Sequence, residues 1–320
     1  MLAVVVFTLV CCGEPAFGAR HRCRVFNPVC YCVTGPTDFH AAQELAVREL
    51  RRLGADVECL GSDVVYVSVW PRGRGASVKF SDADLSNVKG LTAIERIALG
   101  DTQISDQGLA HLKNLSHLKH LTLFGAPVTD DGLAHIRKLA RLETLSLTGT
   151  EVGDAGMKVL KDLPRLTFLN LSGTRVTDAG ANHLKDMTQL TDLRLSGTNI
   201  TDAGVAELSR LANLETLGLD YTNITNDGLA HLKPLTRLRN LGLARLEISE
   251  TGVAHLKELN IESLSYEKCK ISDATAASFA QLTNLKWLNL VNCWGLDQQQ
   301  VKKLQELLPK TQVSYFYAHD

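Results

Sequence analysis

A phrase of 24 residues recurs along this chain, and no other feature restricts its fold as severely. Glycines stand at Gly108, Gly132, Gly156, Gly180, Gly204, Gly228 and Gly252, seven in succession at an interval of 24. The clearest copy, Thr201 to Ile224, reads TDAGVAELSRLANLETLGLDYTNI. A constant period of that size means that each unit packs only on its neighbours, so the chain must stack as a solenoid. The first recognisable unit begins at Asp82, and the register holds to Ile248. It slips by one residue near Asn260, so that the next acid is Asp273, and slips back near Trp294. Irregularity at the end of an array predicts a terminal cap, here a helix through Leu304, Leu307 and Leu308, stopped by Pro309, and a last strand from Val313 to Phe316.

Each position of the phrase has a physical reading. In Leu118-x-x-Leu121-x-Leu123 the last two leucines alternate, so both face the core while Thr122 between them faces out. Leu145 and Leu147, Leu169 and Leu171, Leu193 and Leu195, Leu217 and Leu219, and Leu241 and Leu243 repeat the pattern. One short parallel strand per unit predicts a curved sheet, and nine strands would span about 40 Å. The return path is predicted to be a helix on which Leu229, Ala230, Leu232 and Leu235 face the sheet. Ser105, Thr129, Thr177, Thr201, Ser249 and Ser272 are candidate N-caps, with Gly153 the exception, and an acid such as Asp202 follows in the first turn. The periodic glycine implies a close backbone approach or a special dihedral at the helix start. One glycine per helix is not the cluster that cradles phosphate.

Three residues after the strand stand Thr102, Thr150, Thr174, Thr198 and Thr222, and then Cys269 and Cys293 in the same phase. These read as one internal ladder of small side chains that hydrogen-bond the loop backbone. The two cysteines are accordingly structural thiols, and their parallel side chains argue against a disulfide.

This layout resembles the leucine-rich repeat family, L-x-x-L-x-L-x-x-N/C, with Thr or Cys at the polar rung. The phrasing from Thr225 to Lys233 looks like that of bacterial repeat proteins and is similar to F-box-associated and ribonuclease-inhibitor-like members. The resemblance covers about Asp82 to Phe316. It implies an α/β horseshoe with a concave parallel sheet and convex helices, and a concave face that binds protein. An adaptor of a ubiquitin-ligase-type complex would also need a helical recruitment module, and the short region ahead of the repeats shows no F-box-like one. A structural spacer of the cell envelope is the other alternative; it would show no preferred patch.

Residues 37–81 are expected to cap the first unit. Thr37 or Asp38 starts a helix with Ala42, Leu45, Ala46, Leu50 and Leu53 on one face and Gly54 as its stop, followed by a strand from Val64 to Val69 and a loop from Pro71 to Gly75. Residues 82–320 form the repeat domain with its C-terminal cap. Residues 19–36 read as a linker, and residues 1–18 as a leader. The apolar run Leu2 to Cys12 is too short to span a bilayer as a helix. It suits a secretory signal, with Ala16-Phe17-Gly18 as cleavage site, or a lipoprotein leader lipidated at Cys11 or Cys12. The expected location is therefore exported, periplasmic or envelope-anchored, with cytoplasmic as the alternative. In an exported chain some of Cys23, Cys30, Cys32 and Cys59 could pair, in a connectivity that sequence leaves open. Zinc on Cys23, Cys30 and Cys32 would need His21 or His40 as a fourth ligand, and the spacing matches no zinc knuckle.

The net charge of -1 gives no steering toward nucleic acid or an anionic membrane. No nucleic-acid partner is therefore nominated, and no cofactor, metal or catalytic residue is nominated either. His111, His135, His183, His231 and His255 keep the period but are interrupted by Val159 and Glu207. Packed helix axes stand about 8–10 Å apart, too far for neighbours to share an ion. A catalytic set would break the repeat, whereas the serines, histidines and aspartates here obey it. The residues that the core does not dictate are those facing out of the strands. Phe124, Phe168, Arg194 and Trp287 are the candidate partner-binding anchors, since aromatic and Arg side chains dominate interface hot spots. Asp192 and Asp220 are candidate polar discriminators, although Asp192 and Arg194 are placed to neutralise each other.

Overall fold

A computed structural model of the protein describes residues 38–71 and 78–315, with the backbone alone for 38–40. The leader, the linker, Cys11, Cys12, Cys23, Cys30, Cys32, most of the Pro71 to Gly75 loop and Phe316 lie outside the described residues. The described residues begin with helix α1 (Asp38–Arg52), which the left-handed Gly54 ends. Its buried side consists of Gln43 and Leu50, flanked by the half-buried Ala46, Val47 and Leu53. The expected face was drawn one residue off at its start: Ala42 is exposed and Leu45 is 62% exposed. Strands β1 (Asp56–Leu60) and β2 (Asp63–Val69) follow as an antiparallel hairpin. The alternation of charged and apolar residues in Asp56-Val57-Glu58-Cys59-Leu60 fits a strand with one wet face, and the sequence reading missed it.

Strand β2 pairs in parallel with the first repeat strand, and from there the order is sequential to the end of the sheet. The repeat strands are β3 (Arg96–Gly100), β4 (His120–Phe124), β5 (Thr144–Ser146), β6 (Phe168–Asn170), β7 (Asp192–Arg194), β8 (Thr216–Gly218), β9 (Asn240–Gly242), β10 (Ser263–Ser265) and β11 (Trp287–Asn289). Strand β12 (Gln312–Ser314) closes the twelve-stranded sheet after a helix from Gln298 to Leu307. The register sets identical side chains side by side, Leu145 on Leu169 and Leu169 on Leu193. All of these leucines are fully buried, as are Leu147, Leu171, Leu195 and Leu219 one step along. The alternating leucines thus produce one continuous core beneath the sheet.

The return segments differ from the expected helices in length. The helix holding Leu229 runs only from Asn226 to Ala230, and Leu232, Leu235 and Leu238 follow on successive turns. Leu232 N donates to Leu229 O at 3.2 Å, Leu235 N to Leu232 O at 2.8 Å and Leu238 N to Leu235 O at 2.9 Å. Bonds to the third residue back align side chains every three residues, which is the spacing of these leucines. The tighter turns bring each of them onto the core.

The capping expectation holds except at Ser249, with an addition that sequence alone did not reveal. Ser105, Thr129, Thr177, Thr201, Thr225 and Ser272 cap their helices with the side-chain oxygen, and Ser249 and Gly153 do not. The acid of each helix also reaches into the following coil. Asp178 accepts from Thr201 N at 2.8 Å and from Thr201 Oγ at 2.6 Å. Asp82, Asp106, Asp154 and Asp202 grip Ser105, Thr129, Thr177 and Thr225 in the same way, and Asp130 takes the N–H of Gly153. This clamp explains the glycine period. A Cβ on Gly204 would fall deep inside van der Waals contact of Asp178 Oδ1, and Asp154 Oδ1 would stand 2.5 Å from one on Gly180. Of the two reasons open in the sequence, close approach is the operative one. Where the acid becomes Glu250, the longer side chain makes no such bond to Ser272 among the described residues, and the buried Thr275 replaces glycine.

Candidate protein-binding face

The outward strand residues lie together on the open side of the sheet, each row separated from the next by one strand spacing. Phe168 on β6 and Asp192 and Arg194 on β7 are brought into one group. The Arg194 guanidinium donates to both Asp192 carboxylate oxygens at 3.1 Å and sits 5.0 Å over the Phe168 ring. An exposed ion pair contributes little to stability, but together with the cation–π contact it fixes a long side chain in one direction. Phe124 is 38% exposed at the end of β4, with the ring of Trp70 at 6.2 Å. Trp70 itself is 44% exposed and lies on Gly100, where a Cβ would collide with its ring. It was not nominated from sequence, and the hairpin that places it was not foreseen either. Trp287 is 51% exposed on β11, far along the sheet from the Phe168 group.

Asp220 occupies a different environment from the other candidates. It lies just past β8, where its carboxylate accepts from Ala244 N at 2.8 Å and Ser196 Oγ at 3.0 Å. It therefore staples the turns of three successive coils. His120, also on this face, has Nδ1 at 2.9 Å from Thr144 Oγ1. Burial, reinforced by Arg96, holds its pKa below the usual imidazole value.

The turn that ends each strand carries a second row. Asp101, Gly125, Gly149, Gly173, Gly197, Tyr221, Arg245, Lys268 and Asn292 all have positive φ and fall in one phase of the repeat. From Asp101 to Lys268 each links to the next coil through the backbone: Gly197 N donates to Asp220 O, Tyr221 N to Ala244 O and Arg245 N to Glu267 O, each at 2.8 Å. The left-handed region opposes a side chain by about 1–2 kcal/mol, and among ordinary residues Asn and Asp tolerate it best. Tyr221, Arg245 and Lys268 (φ 57°, 58° and 53°) are therefore the anomalies. The break in the Gly125, Gly149, Gly173, Gly197 series is visible in the sequence. Its meaning required the dihedral.

The polar rung within the coils is structural. Thr150, Thr174, Thr198 and Thr222 each donate the hydroxyl to the carbonyl three residues back, at 2.6 to 2.7 Å. Cys293 Sγ reaches Tyr266 O at 2.8 Å, and Cys269 Sγ reaches Leu246 O and Glu267 O at 3.2 Å. Both thiols are free and buried, and burial raises their pKa, to about 11 for Cys293. They fill the same rung as the threonines but reach carbonyls of the preceding coil, Leu246 for Cys269 and Tyr266 for Cys293. The histidine row lies on the helical side; burial lowers the pKa of His111. Among the described residues no three His, Cys, Asp or Glu side chains converge as a metal site would require, and no helix is long and apolar enough to cross a membrane.

The comparisons with known proteins agree with this geometry. The family described as a leucine-rich repeat region matches residues 84–228. An internalin (inlF) from Listeria monocytogenes is similar in structure over 87% of this chain and 95% of its own, at 20% sequence identity and a TM-score of 0.56. That likeness is one of fold. A TDR receptor is more distant, with 17% identity over 72% of this chain and 44% of the receptor and a TM-score of 0.46. So is the plant peptide hormone receptor RGFR1 in complex with RGF2, with 15% identity over 78% and 46% of the two chains and a TM-score of 0.47. No curated protein matches the chain. Leucine period, parallel sheet and the family model over residues 84–228 coincide, and the fold is a leucine-rich repeat solenoid.

Proposed function

We propose that the protein is a non-enzymatic interaction module that binds a protein partner on the open face of its sheet. The observation that carries this reading is the Phe168, Asp192 and Arg194 group, in which an Arg is fixed over an aromatic ring on a surface that the core does not dictate. Phe124 and Trp287 add exposed apolar area on the same face. A sheet hydrogen-bonded coil to coil loses little conformational freedom when it binds, so contact energy is not offset by ordering of the surface. Asp192 acts here by orienting Arg194, and Asp220 by fixing the turn beside it.

The test is capture of partners from an extract by the wild type beside a Phe168→Ala, Arg194→Ala, Trp287→Ala variant. The variant should fold normally and lose prey that the wild type retains, because anchors of this kind each contribute about 2 kcal/mol or more when buried in an interface. Identical prey at identical yield would refute the concave site and favour the spacer alternative.

We also propose export, on the strength of the apolar run Leu2 to Cys12 and the small residues Ala16 and Gly18. Mass spectrometry of the mature protein should find a chain shortened near Gly18, or one lipidated at Cys11 or Cys12. An intact, unmodified Met1 terminus in the native host would overturn it.

A further inference from the structure

Along the turn row, only at Gly125 does space explain the glycine, because a Cβ there would stand 2.5 Å from Asp101 Oδ1. A Cβ on Gly149, Gly173 or Gly197 would meet nothing closer than 3.7 Å. Glycine is used there for its dihedral. At Tyr221, Arg245 and Lys268 the same backbone conformation is kept against the preference of an L side chain. Residues held in such conformations persist only where the surrounding structure holds them, and they cluster at functional sites. Core packing does not require these: Tyr221 is 47% exposed, Arg245 is exposed and Lys268 is half-buried.

The three side chains nevertheless converge. Lys268 Nζ lies 3.2 Å from Tyr221 Oη and 5.6 Å from the ring centre, and the Arg245 guanidinium lies 5.6 Å from the same centre. Two cations thus flank one phenol, and among the described residues neither forms an ion pair with a carboxylate. The acids beside them in sequence are engaged elsewhere. Asp220 holds Ala244 N and Ser196 Oγ, and Glu267 Oε1 accepts from Asn289 Nδ2 at 2.6 Å. Like charges gathered on one ring repel, and a carboxylate set between them removes that repulsion. The guanidinium fork, the ammonium and the phenol O–H are together the donors such an anion needs.

We propose that Tyr221, Arg245 and Lys268 form a docking site on the rim of the sheet for a carboxylate-rich segment of a protein partner. This rests on the reading of the sheet's open side as the protein-binding side, and supplies the chemistry of the partner at one end of it. The ladder of backbone bonds through Ala244 and Glu267 keeps the three residues on successive coils, about 4.8 Å apart, so an extended acidic segment can run along them.

The test uses the full chain and a fluorescent oligo-glutamate peptide, followed by anisotropy at low salt, with oligo-lysine as the control. The decisive variant is Arg245→Gly with Lys268→Gly, because glycine suits the backbone at both positions. It should bind the peptide at least about tenfold more weakly while melting at or above the wild-type temperature. Lys268→Arg keeps the charge and should stay within about twofold of the wild type. The Phe168→Ala, Arg194→Ala, Trp287→Ala variant should still bind oligo-glutamate, so that failure of the general concave reading and failure of the rim site are separable. Unchanged affinity in the double glycine variant, or no preference of the wild type for oligo-glutamate over oligo-lysine, would overturn the proposal. Displacement by inorganic phosphate at equal anion concentration would also overturn it, by reassigning the site to a free anion.

Discussion

Replacing Gly204 by Ala is expected to destabilise the protein by about 2 kcal/mol, although helix propensity alone argues for the opposite sign. Gly204 is the third residue of a helix from Asp202 to Leu208. An Ala there would gain about 1 kcal/mol of propensity over Gly. The new Cβ, however, would be driven into Asp178 Oδ1 and would stand 3.0 Å from Ile200 Cγ2. Relief requires Asp178 to release the backbone and hydroxyl of Thr201, two hydrogen bonds to a charged acceptor. Steric overlap and lost hydrogen bonds, each about 1–3 kcal/mol, together outweigh the propensity gain. Asp178→Ala alone should also destabilise, by about 2 kcal/mol, because it leaves those donors without their acceptor. In the Asp178→Ala background the same Gly204→Ala change should be neutral or stabilising, since the obstructing carboxylate has gone and the propensity gain remains. Urea denaturation of the two single variants and the double variant measures this coupling. Strict additivity of the two changes would show that the clamp is not the reason for the glycine.

The second large effect is expected for Leu195→Ala, at about 3 kcal/mol, within the range for a fully buried leucine. Leu195 has no exposed surface, and the coils on either side present Leu171 and Leu219 at the same position. The distribution of the loss matters as much as its size. Each coil packs only on its neighbours, so the weakened region should be local. Hydrogen exchange should quicken at Leu195, whose N–H donates to Gly218 O at 2.8 Å, and at Leu171, whose N–H donates to Arg194 O at 2.8 Å. Amides in β3 and in the helix from Gln298 to Leu307 should keep their protection. Equal loss of protection along the whole chain would mean that the array unfolds as one unit, which contradicts the nearest-neighbour picture. Thr216→Ala, on the wet side of β8, serves as the control and should change stability by less than about 0.5 kcal/mol.

These two predictions concern the part of the protein that is most uniform, whereas binding is proposed for the part that is not. Phe168, Arg194 and Trp287 could be nominated by position because alternation along a strand decides which face a side chain takes, and β6, β7 and β11 have the expected phase. That Arg194 lies over Phe168, and not only beside Asp192, depends on the pairing of β6 with β7. Asp220 could equally have been a free discriminator; its contacts with Ser196 and Ala244 involve residues 24 positions away on either side.

The sequence by itself determined the solenoid, the parallel strand order, the buried leucines and the outward rows. The reason is that all of these follow from periodicity: a side chain repeated every 24 residues meets its own copy. Only the tertiary structure decided why the glycines are glycines and which side chains the rim turns bring together. A carboxylate filling the space of a missing Cβ, and two cations meeting on one tyrosine in a left-handed turn, are contacts between neighbouring coils. Their geometry is set by how the coils stack, and the period states only that they do.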